Sequence, residues 1–223
     1  MPKNRTKSFT YPEAKPLAGF LSSSFQDYIS ARILFNHNQL ISAAALANTA
    51  IEKYFKAIIV FRGNSIKAKH DLEKLLPSIQ SFSPEVYEKM NVEFLRMLSK
   101  IYYLRYIDNL EPNFNIIISK NKYLAELDYT YSILEPKLRL RLSDKKNRKS
   151  FYEIAIEEKD PNLWTNNYIL NELDKTQFIE RDDVIHEFRI LPNETFIEAI
   201  YHTEGSKNDG IFNREALKPE RNI

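Results

Sequence analysis

No cysteine occurs among the 223 residues, which excludes disulfides and cysteine-ligated metal sites and suits a reducing compartment. The N-terminal MPKNRTKSFTYPEAKP has basic residues but no apolar core, so no secretory signal is expected and a cytoplasmic location is. No uncharged apolar run is long enough to span a bilayer: the greasiest stretch, Leu40–Phe61, is interrupted by Asn48, Glu52, Lys53 and Lys56. No repeat recurs at a fixed period. His186 and His202 fall on expected strands without metal-ligand spacing, so neither a metal nor a cofactor is expected.

What is present is the composition of a soluble globular protein, 43% hydrophobic and 28% charged, with 13 tyrosines and 14 phenylalanines as stackable rings. The net charge of +2 hides an asymmetry. Residues 1–149 hold 24 Lys/Arg against 14 Asp/Glu, a net +10, and residues 150–223 hold 8 against 16, a net −8. A basic part followed by an acidic part marks a boundary and suggests an anionic partner for the first. The acidic part either covers some of the basic surface or completes the core.

Leu40–Phe61 organises the rest. Leu40, Ile41, Leu46, Ile51, Tyr54, Phe55, Ile58, Ile59 and Phe61 cover nearly its whole circumference, as in a helix packed on several sides. Asn48, Glu52 and Lys56 form one polar row on it, with Glu52 four residues before Lys56 in the favourable order for an ion pair. A first helix is expected from Pro16, through Leu17, Phe20, Leu21, Phe25, Tyr28, Arg32 and Phe35, to about Asn36. Gly63-Asn64 ends the second. Asp71 starts a short third helix carrying Leu72, Leu75, Leu76 and Ile79. Ser83-Pro84 opens a fourth, whose face Val86, Met90, Phe94, Met97, Ile101 and Leu104 runs into Tyr102–Asn109. Ser119 opens a fifth, which Pro136 should break near Leu134.

The basic run from Lys137 to Lys149 reads as a linker, or as a nucleic-acid contact. Beyond it Tyr152, Ile154 and Ile156 alternate like a strand, with a helical turn as the alternative, and Asp160-Pro161 starts a helix continuing past Leu163, Trp164, Leu170 and Leu173. Val184, Phe188 and Ile190, then Ile197, Ala199 and Tyr201, form a hairpin about Pro192-Asn193-Glu194. The expected organisation is a basic arm (1–15), an antiparallel up-and-down helical bundle (16–142), a basic linker (143–150), a small acidic α+β extension (151–204) and a polar tail (205–223). The fold class is mainly α.

The first 142 residues resemble a HEPN domain, the nucleotide- and RNA-associated helical family of prokaryotes and higher eukaryotes. The likeness rests on AALANTAIEKYFKAIIV with Glu52 and Lys56, on His70-Asp71-Leu72, on Leu75-Leu76, and on Arg105-Tyr106 followed by Asp108. It implies a bundle that dimerises and a polar groove meeting a nucleotide, RNA or a nucleotidyltransferase-type partner, as in toxin–antitoxin or defence modules. The residues it singles out are Arg105, Tyr106, Asp108, Asn109, Tyr102, Lys56, Glu52 and His70. Ribonucleases of the family carry a histidine four to six residues after the arginine. Here those positions are Asn109, Leu110 and Glu111, so no catalytic residue is assigned and the expected role is non-catalytic binding. An RNA-cleaving toxin using Arg105 with His70 or a partner-chain group, and a scaffold without a ligand, are the alternatives. Residue by residue, Arg105 is either a helix cap or a phosphate contact beside the rings of Tyr102, Tyr103 and Tyr106. Asp108 reads as its local partner, and His70 as a turn residue.

Overall fold

The computed structural model describes residues 11–63, 71–102, 115–138, 149–181, 184–191 and 195–202. Residues 1–10 of the arm, the 143–148 part of the linker, the hairpin turn and the polar tail lie outside them.

Helix α1 (Tyr11–Asn36) begins five residues before Pro16 and packs along α2 (Leu40–Phe61). Between them Asn38 adopts the left-handed conformation, φ 57°, and Gln39 N–H reaches back to Leu34 O at 2.8 Å. Asparagine tolerates this geometry, so the reversal needs no glycine. Gly63, φ 80°, closes α2 as its position suggested. Helix α3 (Leu72–Phe82) is capped by Asp71, whose carboxylate accepts from Glu73 N–H at 3.0 Å.

The long fourth helix read from the sequence is two helices, α4 (Pro84–Lys89) and α5 (Val92–Tyr102). The apolar face stays in phase across the join. Met90, however, is extended, and Asn91 Oδ1 accepts from Phe94 N–H at 3.0 Å, starting a new helix with its own side chain. Strand β1 (Asn115–Ile118) comes next, its Ile116, Ile117 and Ile118 all buried. Helix α6 (Lys120–Leu134) ends in a 3₁₀ turn, Glu135–Lys137, at the expected Pro136 break.

The segment with alternating Tyr152, Ile154 and Ile156 is helix α7 (Phe151–Glu157), not a strand. A reciprocal capping box decides it: Ser150 Oγ accepts from Glu153 N–H at 3.1 Å, and the Glu153 carboxylate accepts from Ser150 N–H at 2.9 Å. Helix α8 is only Pro161–Trp164, because Asn166 and Glu172 adopt positive φ and interrupt the helical path toward Leu173. Helix α9 (Lys175–Glu180), capped by Asp174, has no counterpart in the sequence reading.

Strands β2 (Val184–Ile190) and β3 (Phe196–His202) form the expected hairpin. Strand β1 joins it, giving an antiparallel sheet ordered β1-β2-β3 with Asn115 opposite Arg189 and Ile118 opposite His186. The core is continuous from Leu17 through α2 and α6 to Tyr152, Leu163, Phe178, Ile185 and Phe188. At its centre the rings of Tyr28 and Tyr131 stack at 4.1 Å. Fully buried Arg32 forms an ion pair with both Asp128 oxygens and donates to the carbonyls of Asn162 (3.1 Å) and Thr165 (2.6 Å).

Candidate functional site

The polar row of α2 is built as its spacing suggests, but it lies inside the protein. Asn48 is fully buried, Glu52 is 2% exposed, and Lys56 forms an ion pair with Glu52 from a side chain that is 15% exposed. Asn48, the first of the row, faces α3 and α5. Ser99 Oγ donates to Asn48 Oδ1 at 3.5 Å and accepts from Leu72 N–H at 3.3 Å. Asn48 Nδ2 is buried with no hydrogen-bond partner.

These contacts fix the direction of the helices. Leu72, the first residue of α3, lies at Ser99 and Asn48, while Ser78 O accepts from Arg62 at 3.3 Å and the rings of Phe82 and Phe61 are 6.0 Å apart. Helix α3 therefore runs beside α2 in the same direction. Arg96 on α5 donates to Glu73 at 2.9 Å, beside the Ser99–Leu72 contact. Of the residues singled out from sequence, Glu52 and Lys56 are brought together as an ion pair. The Tyr102 side chain is itself buried, 5% exposed. His70, Tyr103, Arg105, Tyr106, Asp108 and Asn109 lie outside the described residues.

Their flanks are described. Leu72, two residues after His70, donates its amide to Ser99, three residues before Tyr102. Lys100 Nζ donates to Asn115 O at 3.0 Å, bringing the end of α5 to the start of β1 and so bracketing residues 103–114 at the base. Burial pushes the Lys100 ammonium below its ordinary pKa. From Asn115 a polar chain crosses the sheet. Asn115 Nδ2 donates to Glu187 Oε1 at 3.0 Å, and Tyr201 Oη donates to Glu187 Oε2 at 2.7 Å. Arg189 Nη2 donates to Tyr201 Oη at 2.8 Å, and Arg189 Nε lies 3.1 Å from Glu187 Oε2.

The sequence reading assigned no site role to Ser99, Lys100, Asn115, Glu187, Arg189 or Tyr201. Only the alternation Glu187, Arg189 on one strand face hinted at the last group. Among the described residues no cluster of three or more His, Asp or Glu side chains could hold a metal, and no helix is long and apolar enough to cross a membrane.

This arrangement, a buried polar row on the second helix and an Asp-capped third helix pinned to the helix that precedes Arg105, coincides with a match of the HEPN domain family model to residues 19–139. The chain belongs to the HEPN family. The HEPN match takes in most of α1, then α2 to α5, β1 and α6, and stops before α7, so β2 and β3, with Glu187, Arg189 and Tyr201, lie outside it. Comparison with curated proteins and with solved structures gives no match.

Proposed function

We propose that this HEPN protein binds RNA or a nucleotide, without cleaving it, at the end of the bundle where α5 leads toward Arg105. One observation supports the reading: the Leu72 amide donates to Ser99 Oγ, so the start of α3, which follows His70 in sequence, meets the last turn of α5, which precedes Arg105 in sequence. Arg105 supplies charge for a phosphate, and Tyr106 a ring for a base. Asp108 and Asn109 complete the segment. Binding rather than cleavage follows from the residues at the three positions after Arg105 where the family's histidine would stand, Asn109, Leu110 and Glu111. None of these is the imidazole that the family's arginine–histidine mechanism uses to move the 2′-hydroxyl proton. A homodimer, a nucleotidyltransferase-type partner and a place in a toxin–antitoxin or defence module belong to the same reading, and family membership supports them.

The test is titration of a fluorescein-labelled single-stranded RNA and of ATP, with anisotropy and calorimetry as readouts. Wild-type protein binds, affinity falls as salt rises, and Arg105→Ala weakens it. Unchanged affinity in that variant removes Arg105 from the site. RNA cutting that Arg105→Ala abolishes would turn the reading to a nuclease, and no binding at all would turn it to a scaffold.

A further inference from the structure

The polar chain on the sheet is more than a strand-to-strand tie. Glu187 is 3% exposed, its two carboxylate oxygens take hydrogen bonds from Asn115 and Tyr201, and it forms an ion pair with Arg189. A buried carboxylate held by three partners fixes the guanidinium beside it. Arg189 is also gripped by Tyr201 Oη, while its side chain stays 27% exposed. Its Nε is a buried donor on a cation, and no acceptor is aligned for a hydrogen bond to it, Glu187 being close but off the line. Directly across the ladder from Arg189 stands Asn115, and the carbonyl of Asn115 holds the Lys100 ammonium. Cross-strand partners of this kind stand about 5 Å apart. Two cations far apart in sequence therefore flank a single residue, on the strand that follows the Arg105 segment.

We propose that Arg189 and Lys100 form a phosphate-binding strip that continues the RNA site from the bundle onto the C-terminal hairpin, with Tyr201 and Glu187 as positioning residues for Arg189. The ligand class is the phosphodiester backbone of single-stranded RNA. The proposal rests on the RNA reading above and adds to it a contact from outside the HEPN match. With its Nε–Nη2 edge held by Glu187 and Tyr201, the guanidinium offers its remaining Nη1 end to a phosphate oxygen, and the Lys100 ammonium on Asn115 serves as a second point charge.

The experiment is anisotropy titration of the full chain with the labelled RNA over a salt series. Arg189→Ala lowers affinity severalfold at low salt and reduces the slope of log affinity against log salt by about one. Tyr201→Phe keeps both cations but frees the guanidinium, so affinity falls with the slope unchanged. A merely structural hydroxyl would shift the melting temperature and leave affinity alone. Arg189→Lys keeps the slope with part of the affinity, and with Tyr201→Phe it decides the matter should Arg189→Ala not fold. The same variants titrated with ATP separate two sources of phosphate: loss on RNA alone assigns the strip to a backbone phosphate, and loss on both to a terminal one. Wild-type affinity and slope in Arg189→Ala, alongside weakening by Arg105→Ala, overturns the strip and leaves the RNA reading standing. Wild-type protein that takes neither RNA nor ATP overturns both.

Discussion

Every directed contact made by the Arg32 guanidinium is internal: Asp128 on α6 and the carbonyls of Asn162 and Thr165 around α8. Tyr28 Oη adds a bond to Asp128 at 2.8 Å. Burial alone pushes the Asp128 carboxyl above the usual range, and Arg32 and Tyr28 oppose that push. The pair is thus held by mutual need. In Arg32→Met the carboxylate stays buried without its counter-charge and two carbonyls lose their donors, a loss of about 3–5 kcal/mol. The double variant Arg32→Met/Asp128→Leu removes both charges and recovers much of that, because an apolar replacement of similar size avoids the desolvation cost. Urea unfolding of the two variants measures it, and a double variant no more stable than the single would show that the packing around Tyr28, not the charge, carries the effect. Glu52 and Lys56 differ from this pair: the Lys56 side chain still reaches solvent, so its charge is less committed to the interior.

At the scale of elements, α7 to β3 behave as parts of the bundle. Strand β2 is the ladder partner of β1, and Tyr152 packs against both Tyr28 and Tyr131. Ending the chain after Lys149 strips β1 of its partner and Arg32 of two acceptors. The expected product gives no cooperative melt by circular dichroism and elutes as aggregate from a sizing column. A monodisperse product with a sharp melt would show that the bundle folds alone. How far these elements were legible depended on the reach of the signal that makes each one. Gly63, Asp71 and Pro136 act on their own turns of backbone, so they mark helix ends in sequence as they do in structure. Asn91 acts equally locally, yet the apolar face running through it conceals the break between α4 and α5. In α7 two local signals compete, and the Ser150–Glu153 capping box prevails over the alternation of Tyr152, Ile154 and Ile156. Strand β1 is four residues long and owes its form to β2, far along the chain. The candidate site divides the same way. The row Asn48, Glu52, Lys56 is a helical repeat within one element, whereas Arg189 meets Asn115 only because the sheet forms.

For the molecule as a whole, tyrosine burial sets the alkaline limit. Tyr28, Tyr54, Tyr123, Tyr131 and Tyr152 all have phenols raised above the ordinary value, in each case chiefly by desolvation. The folded state therefore holds these protons more tightly than the unfolded chain, whose tyrosines titrate near pH ~10. The stabilisation is fully present below that pH. It is lost as pH rises toward the folded values, by up to about 1.4 kcal/mol per unit for each tyrosine. Tyrosinate absorbance at 295 nm should then appear in one step with the loss of helical signal, and a large early titration in a chain still folded would contradict it. The pairing of Asn115 with Arg189 has a temporal side as well. When β1 leaves the ribosome its partner has yet to be made, and at roughly 5–20 residues per second the wait lasts on the order of several seconds. Throughout that interval Ile116, Ile117 and Ile118 form an open apolar edge on a nascent chain whose helical hairpin α1–α2 has had time to close. Chaperone capture or chain-to-chain pairing during synthesis is accordingly directed at this short segment, and an expression host that slows translation after residue 118 lengthens the exposure.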